Sequence, residues 1–322
     1  MSPDSAGRWH NAAPFECPPD SPGDVPLSAQ PGTANPLAIA AAFFVAYTVW
    51  GSTYLAIRIA VHDLPPGLLA GVRFILAGLI LGAAALLRGQ PWPRQLKDWR
   101  AAAVMGVLLV VIGNGFVTWA EQWVPSNQAA VIIASGAFWT AWLGTFGPRG
   151  VPLSGQARLG LLIGFAGVLL MVWPEGTMDR GIFLGQIAIV IAPIAWAAGT
   201  AYARHQDLGV TPLMFAAMQM LAGGLMLTAV GLAAGETARW TWTPAGLGAL
   251  AYLTIFGSCL AYGTYVWLIG QTTPARLGTI AYVNPVIATF LGWWILNETL
   301  TPAQLAGAGI IVLGVILVSL RS

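Results

Sequence analysis

The chain has 322 residues, of which 57% are hydrophobic and only 8% charged, with a formal net charge of +2. A soluble globule wets its surface with about 25% charged residues, so this composition excludes a water-exposed fold of that size and points to the bilayer as solvent. Two cysteines, Cys17 and Cys259, suggest neither a disulfide framework nor a thiolate metal site, and the 14 basic residues form no stripe for nucleic acid.

Residues 1–35 hold Pro3, Pro14, Pro18, Pro19, Pro22, Pro26 and Pro31 with Asp4, Glu16, Asp20 and Asp24. They lack the basic start and apolar run of a secretory signal, and their composition predicts a disordered tail. From Pro36 onward, apolar runs long enough to cross a bilayer recur about ten times. They fall near 38–60, 66–87, 101–123, 126–147, 157–173, 182–203, 212–233, 245–269, 275–296 and 303–320. Proline marks the breaks, as in Leu64-Pro65-Pro66, Val124-Pro125-Ser126, Thr211-Pro212 and Thr301-Pro302. The connections are short, so successive helices are antiparallel neighbours.

With the amino terminus inside, the inner loops collect Arg8, Arg88, Arg94, Lys97, Arg100, Arg149, Arg158, Arg204, Arg276 and Arg321. The outer side keeps Arg58, Arg180 and Arg239, and Arg73 lies within a span. That bias predicts both termini in the cytoplasm.

The sequence repeats at a spacing of about 147 residues. Trp50, Tyr54 and Arg58 align with Trp196, Thr200 and Arg204; Arg73 aligns with Gln219, Trp119 with Trp267, and Gly167-Val168-Leu169-Leu170 with Gly314-Val315-Ile316-Leu317. The repeats occupy 36–175 and 180–322 with five spans each. An odd number makes the second copy enter the membrane in the opposite sense, a design that exposes one midplane site to either face in turn. The alternative is a duplication that only builds a stable bundle, as in channels or membrane enzymes.

Trp50-Gly51-Ser52-Thr53-Tyr54, Gly71-Val72-Arg73-Phe74, Gly113-Asn114-Gly115, Val124-Pro125-Ser126, Tyr282-Val283-Asn284-Pro285-Val286 and Asn297-Glu298-Thr299-Leu300 carry a family resemblance. From about residue 38 to the carboxyl terminus the chain resembles the drug/metabolite transporter superfamily, within it the EamA-type exporters and their YedA-like branch. The resemblance implies ten helices, export of amino acids, metabolites or drugs across the inner membrane, and no bound cofactor.

Polar groups inside a span are costly and suggest function. Arg73 lies about seven residues into its span, roughly 10 Å below the end at 1.5 Å per residue. Asn114, Thr118 and Glu121 follow at i, i+4 and i+7 on one face of the third span, and Tyr54 and Arg58 reach the same depth. These residues either line the outer half of a substrate path, with Arg73 paired to Glu121 or to an anionic cargo group, or they form a structural tie. By inversion Thr200, Gln219, Tyr262, Tyr265, Tyr282 and Asn284 line the inner half. Pro285 frees backbone carbonyls there or merely kinks the helix. The deep indoles Trp50, Trp119, Trp139, Trp196 and Trp267 either face a cavity or fill helix contacts. Gly160 and Gly164 form a small-residue seam, internal or between protomers.

The residues of an ATP-driven pump, a membrane metalloprotease and a serine nucleophile turn are missing. Lys97 is the sole lysine and sits in no phosphate loop; His10, His62 and His205 are isolated; no Gly-x-Ser-x-Gly turn is present. The sequence therefore reads as an all-helical secondary transporter working by alternating access. Its partners are a small-molecule substrate, amino acids foremost, and the lipid bilayer, as a monomer or homodimer. Efflux of amphipathic compounds is the runner-up, followed by a channel or an intramembrane enzyme. Glu121 either relays protons or transport follows the substrate gradient alone.

Overall fold

The computed structural model describes residues 35–143, 145–146, 152–171, 173, 179–203, 206, 208–269, 271 and 280–319. The tail at 1–34 and the side chain of Tyr282 lie outside the described residues. All regular structure among the described residues is helical.

Five of the described helices start on a proline. α1 (Pro36–Asp63) follows Asn35, whose side chain accepts from the Leu37 N–H at 2.9 Å. α2 (Pro66–Leu87) begins on a proline, where the missing N–H would be unpaired anyway. α7 (Pro212–Ala233) and α8 (Pro244–Ile269) are capped by Thr211 and Thr243, which accept from Met214 N and Gly246 N. α10 (Pro302–Ser319) opens with a reciprocal cap: Thr301 Oγ1 accepts from Gln304 N, and Gln304 Oε1 from Thr301 N. The remaining helices are α3 (Leu96–Ala120), α4 in two pieces (Ser126–Ala134 and Gly136–Leu143), α5 (Gly155–Met171), α6 (Arg180–Ala203) and α9 (Ile280–Leu296).

By length and composition α1, α2, α3, α6, α7 and the Pro244–Tyr265 part of α8 can each cross a membrane, while α5, Val283–Leu296 and Pro302–Leu317 are shorter apolar helices. Large apolar side chains such as Leu79, Ile80, Leu162, Leu225, Val286 and Trp294 are exposed, as lipid contact requires. The same helix α2 buries Arg73, Phe74, Ala77 and Gly78 on its opposite face.

Two features depart from the sequence reading. α4 is interrupted by a turn at Ser135 rather than running on from 126 to 147. α3 and α8 each contain a π-helical stretch, Gly106–Gly115 and Leu253–Leu260, beginning at repeat-related positions. Apolar periodicity does not register a change from i−4 to i−5 bonding, so neither was visible beforehand. α6 and α9 run through Pro193 and Pro285 without ending.

The tightest associations are α2 with α7 and α5 with α10, flanked by α1 against α8 and α9, α6 against α3 and α4, and α3 against α7. Glycine makes both central pairs. A Cβ on Gly314 would stand 2.6 Å from the Gly164 backbone, and one on Gly224 would stand 2.8 Å from Ile75 N. The Gly160–Gly164 pattern therefore belongs to an internal seam.

The ends of the α2–α7 pair are tied by polar groups. Glu236, past the end of α7, accepts from the N–H groups of Gly67 (3.2 Å) and Leu68 (2.8 Å) at the start of α2. At the other end Gln90, past α2, accepts from the Thr211 hydroxyl that caps α7. Replacing Gly314 by leucine should cost about 1–3 kcal/mol through forced separation of α5 and α10. Gly309→Leu, where a Cβ meets nothing within 4 Å, should leave the thermal midpoint of the detergent-solubilised protein unchanged.

Candidate functional site

Arg73 is 5% exposed on α2, and a guanidinium inside apolar surroundings needs donors matched by acceptors or π-faces. Its Nε donates to Ser258 Oγ at 2.9 Å, and its Cζ stands 4.7 Å from the Phe74 ring centre. Ser258 belongs to the π stretch of α8. The neighbouring Gly257 carbonyl accepts from the Trp50 indole N–H at 3.2 Å, and the Trp50 ring rests on Tyr265 at 5.2 Å.

Around these groups lies a cavity of about 60 Å³, room for a few waters but not for a metabolite. Trp50, Arg73, Asn114, Trp196, Gln219 and Tyr262 line it, together with Ser258. Asn114 sits in the π stretch of α3, where its side chain donates to the Leu109 carbonyl at 2.8 Å. Gln219 donates through Nε2 to Tyr262 Oη at 3.1 Å, while its Oε1 is buried without a donor. Both repeats thus contribute to one wall, with a cation, an amide pair and two indoles facing a common space.

The structure sorts the remaining candidates elsewhere. Tyr54, Thr118 and Glu121 lie off this cavity; Thr118 turns its hydroxyl back to the Asn114 carbonyl, and Tyr265 backs Trp50. Asn284 lies in α9, its backbone carbonyl against Gly51 and its Oδ1 buried without a donor. Arg73 and Gln219 share one cavity rather than separate outer and inner halves, because α2 and α7 pack directly together.

Nor are Arg73 and Glu121 ion-paired: neither Glu121 carboxyl oxygen has a hydrogen-bond partner, and Arg73 Nε donates to Ser258 instead. Among the indoles, Trp119 is stacked edge-on against Trp123, Trp139 packs with Trp142 and Phe165, and Trp267 is exposed. None of those three lines the cavity. Ser258 and Gly257 were missed from the sequence; a hydroxyl inside an apolar run opposite an unpartnered arginine was the available signal.

A second polar cluster lies where α1, α3, α4 and α9 meet. Asn297 takes a left-handed φ of 54° just after α9, a conformation asparagine tolerates. It turns the chain so that Glu298 reaches the start of α4, accepting from Ser126 N (2.9 Å), Ser126 Oγ (2.7 Å) and Asn127 N (3.1 Å). Arg58 approaches Glu298 Oε1 with Nε at 3.9 Å and donates through Nη1 to the Glu121 backbone carbonyl. Glu121 itself is 0% exposed, and neither carboxyl oxygen has a hydrogen-bond partner.

Glu298→Ala removes an anionic cap and should destabilise the protein by about 2–3 kcal/mol. Glu298→Gln, which keeps one acceptor oxygen, should lose less than half as much in a thermal melt in detergent. Equal losses for the two variants would contradict a capping role.

Known proteins share this architecture. The EamA-like transporter family matches residues 36–173 and again 183–320. The uncharacterized inner membrane transporter YedA of Escherichia coli K12 is 40% identical over 280 residues, spanning 87% of this chain and 90% of that protein. A chloroplastic WAT1-related protein of Arabidopsis thaliana is 28% identical over 278 residues, 84% of this chain and 66% of that one. One solved crystal structure shares the fold at a TM-score of 0.60 and 22% identity, covering 89% of this chain and 99% of that chain.

Proposed function

From the premise that the chain belongs to the EamA-like transporter family, we propose that it exports small metabolites, amino acids foremost, across the bacterial inner membrane by alternating access. Ten spans are arranged as two five-helix repeats, residues 36–175 and 180–322, of opposite polarity, with both termini cytoplasmic. The helix pairing supports this arrangement: α2 packs on its repeat mate α7 and α5 on its mate α10, while α1 with α9 corresponds to α6 with α4. Such reciprocity is what a two-fold axis in the membrane plane produces.

The observation that carries the reading is the cavity shared by Arg73 and Gln219. Arg73, Ser258, Asn114 and Gln219 offer one charge and several donors and acceptors, suited to a carboxylate with polar neighbours. Trp50 and Trp196 offer flat apolar faces for the remainder of the cargo, so aromatic amino acids fit the set of groups. A cation in the wall disfavours lipophilic cations, the main alternative cargo. In this conformation the cavity is too small to hold such molecules, so binding requires the helices around it to move apart.

Reconstituted into liposomes preloaded with unlabelled amino acids, the protein should support saturable counterflow of the labelled compound. Arg73→Gln should reduce that counterflow at least about 10-fold, the scale of a lost charge-assisted contact, with unchanged gel-filtration behaviour. Conductance without saturation would indicate a pore, and counterflow of lipophilic cations alone would move the cargo to the drug class.

A further inference from the structure

Glu121 is an acid that neither the cavity nor the helix caps use. It is fully enclosed, and neither oxygen accepts a hydrogen bond. A charged carboxylate held so, with a second carboxylate nearby, lacks the donors that normally accompany burial, whereas the neutral acid does not need them.

We infer that Glu121 is a proton-binding site of this transporter, and that its occupancy decides which carboxylate holds Arg58. The inference rests on the transporter reading for its use, though not for its test. With the proton on Glu121, Arg58 stays with Glu298, as in the described geometry. Without it, the guanidinium is drawn to the Glu121 carboxylate, releasing the link between α1 and the junction of α9 with α4.

The surroundings fit. The groups facing Glu121 are Tyr54 and Arg58 from α1, Arg73 from α2 and Glu298 from the segment after α9. α6, packed on the same turn through Gly185, has no charged residue after Arg180. Arg58 is already anchored on the Glu121 backbone carbonyl, and its 3.9 Å approach to Glu298 is an ion pair without a tight hydrogen bond. A short swing therefore exchanges one acid for the other.

The consequence of the swing reaches the cavity. Trp50, Tyr54 and Arg58 recur every four residues on one stripe of α1. A shift of α1 at Arg58 is thus carried along the same stripe to the indole that walls the cavity, and proton binding and cargo binding act on one helix.

Two measurements test this in nanodiscs, neither needing cargo. The infrared difference spectrum on alkalinisation should contain a protonated-carboxyl band that Glu121→Gln abolishes and Glu298→Gln keeps. Spin labels at His62→Cys and Thr299→Cys, on a Cys17→Ser/Cys259→Ala background, should report a short distance near pH 5 and a longer, broader one near pH 9, a window in which unperturbed carboxylates remain ionised and the replaced histidine no longer titrates. Glu121→Gln should hold the short distance at every pH, Arg58→Gln the long one, and Glu121→Asp should restore the pH response.

A band that survives Glu121→Gln, or distances that respond to pH equally in wild type and Glu121→Gln, overturns the inference. A misfolded variant shows neither distance and is resolved by the aspartate. Loss of the pH response with counterflow intact would sink proton binding alone; loss of counterflow with the response intact would sink the cargo reading alone.

Discussion

Two helix pairs hold the repeats together, and both do so by letting backbone meet backbone. α2 lies against α7 and α5 against α10, with glycines where any side chain would collide. Lipid tails are as apolar as leucine, so the hydrophobic effect gives these helices no reason to associate. Close van der Waals approach and end-to-end polar ties supply the reason. Because α2 and α7 are fixed side by side, Arg73 and Gln219 are delivered to one space, and the rest of the cavity is assembled around them by α1, α3, α6 and α8.

The polar groups inside that bundle are organised by the same scarcity of partners. Arg73 takes a serine hydroxyl and a phenyl face, Trp50 takes a backbone carbonyl, and Gln219 takes a tyrosine. The π stretches of α3 and α8 contribute Asn114, Gly257 and Ser258 to this set. They stand at repeat-related positions, so the irregular backbone occurs where the two copies contribute to one wall. Irregularity of this kind is tolerated at membrane depth only where protein or a polar cavity surrounds it.

Much of the frame was legible in the sequence because the bilayer imposes its thickness on every span. Residues 66–87 and 212–233, read from proline punctuation and apolar length, coincide with α2 and α7. α3 starts earlier than read, at Leu96, since its opening residues include Lys97, Asp98 and Arg100, which hydropathy discounts. The turn at Ser135 is announced only by the Gly136 that follows it, inside an apolar run long enough to read as one span.

Of the residues lining the cavity, Arg73, Asn114 and Gln219 were singled out because intramembrane polarity is rare. How they bond was not legible, because spacing along one helix says nothing about which helix lies opposite: Ser258 was missed, and Tyr262 was named without its bond to Gln219. The Arg73–Glu121 pairing failed for that reason: depth alone matched them, while α8 placed Ser258 closer.

The central claim is that two copies of one fold lie in the membrane with opposite polarity around a common cavity. Single cysteines at Arg94→Cys and Arg239→Cys, in a Cys17→Ser/Cys259→Ala background, test it with a membrane-impermeant maleimide. The account predicts that position 239 labels on intact spheroplasts while position 94 labels only in inverted vesicles. Labelling of both positions from the same face would contradict it.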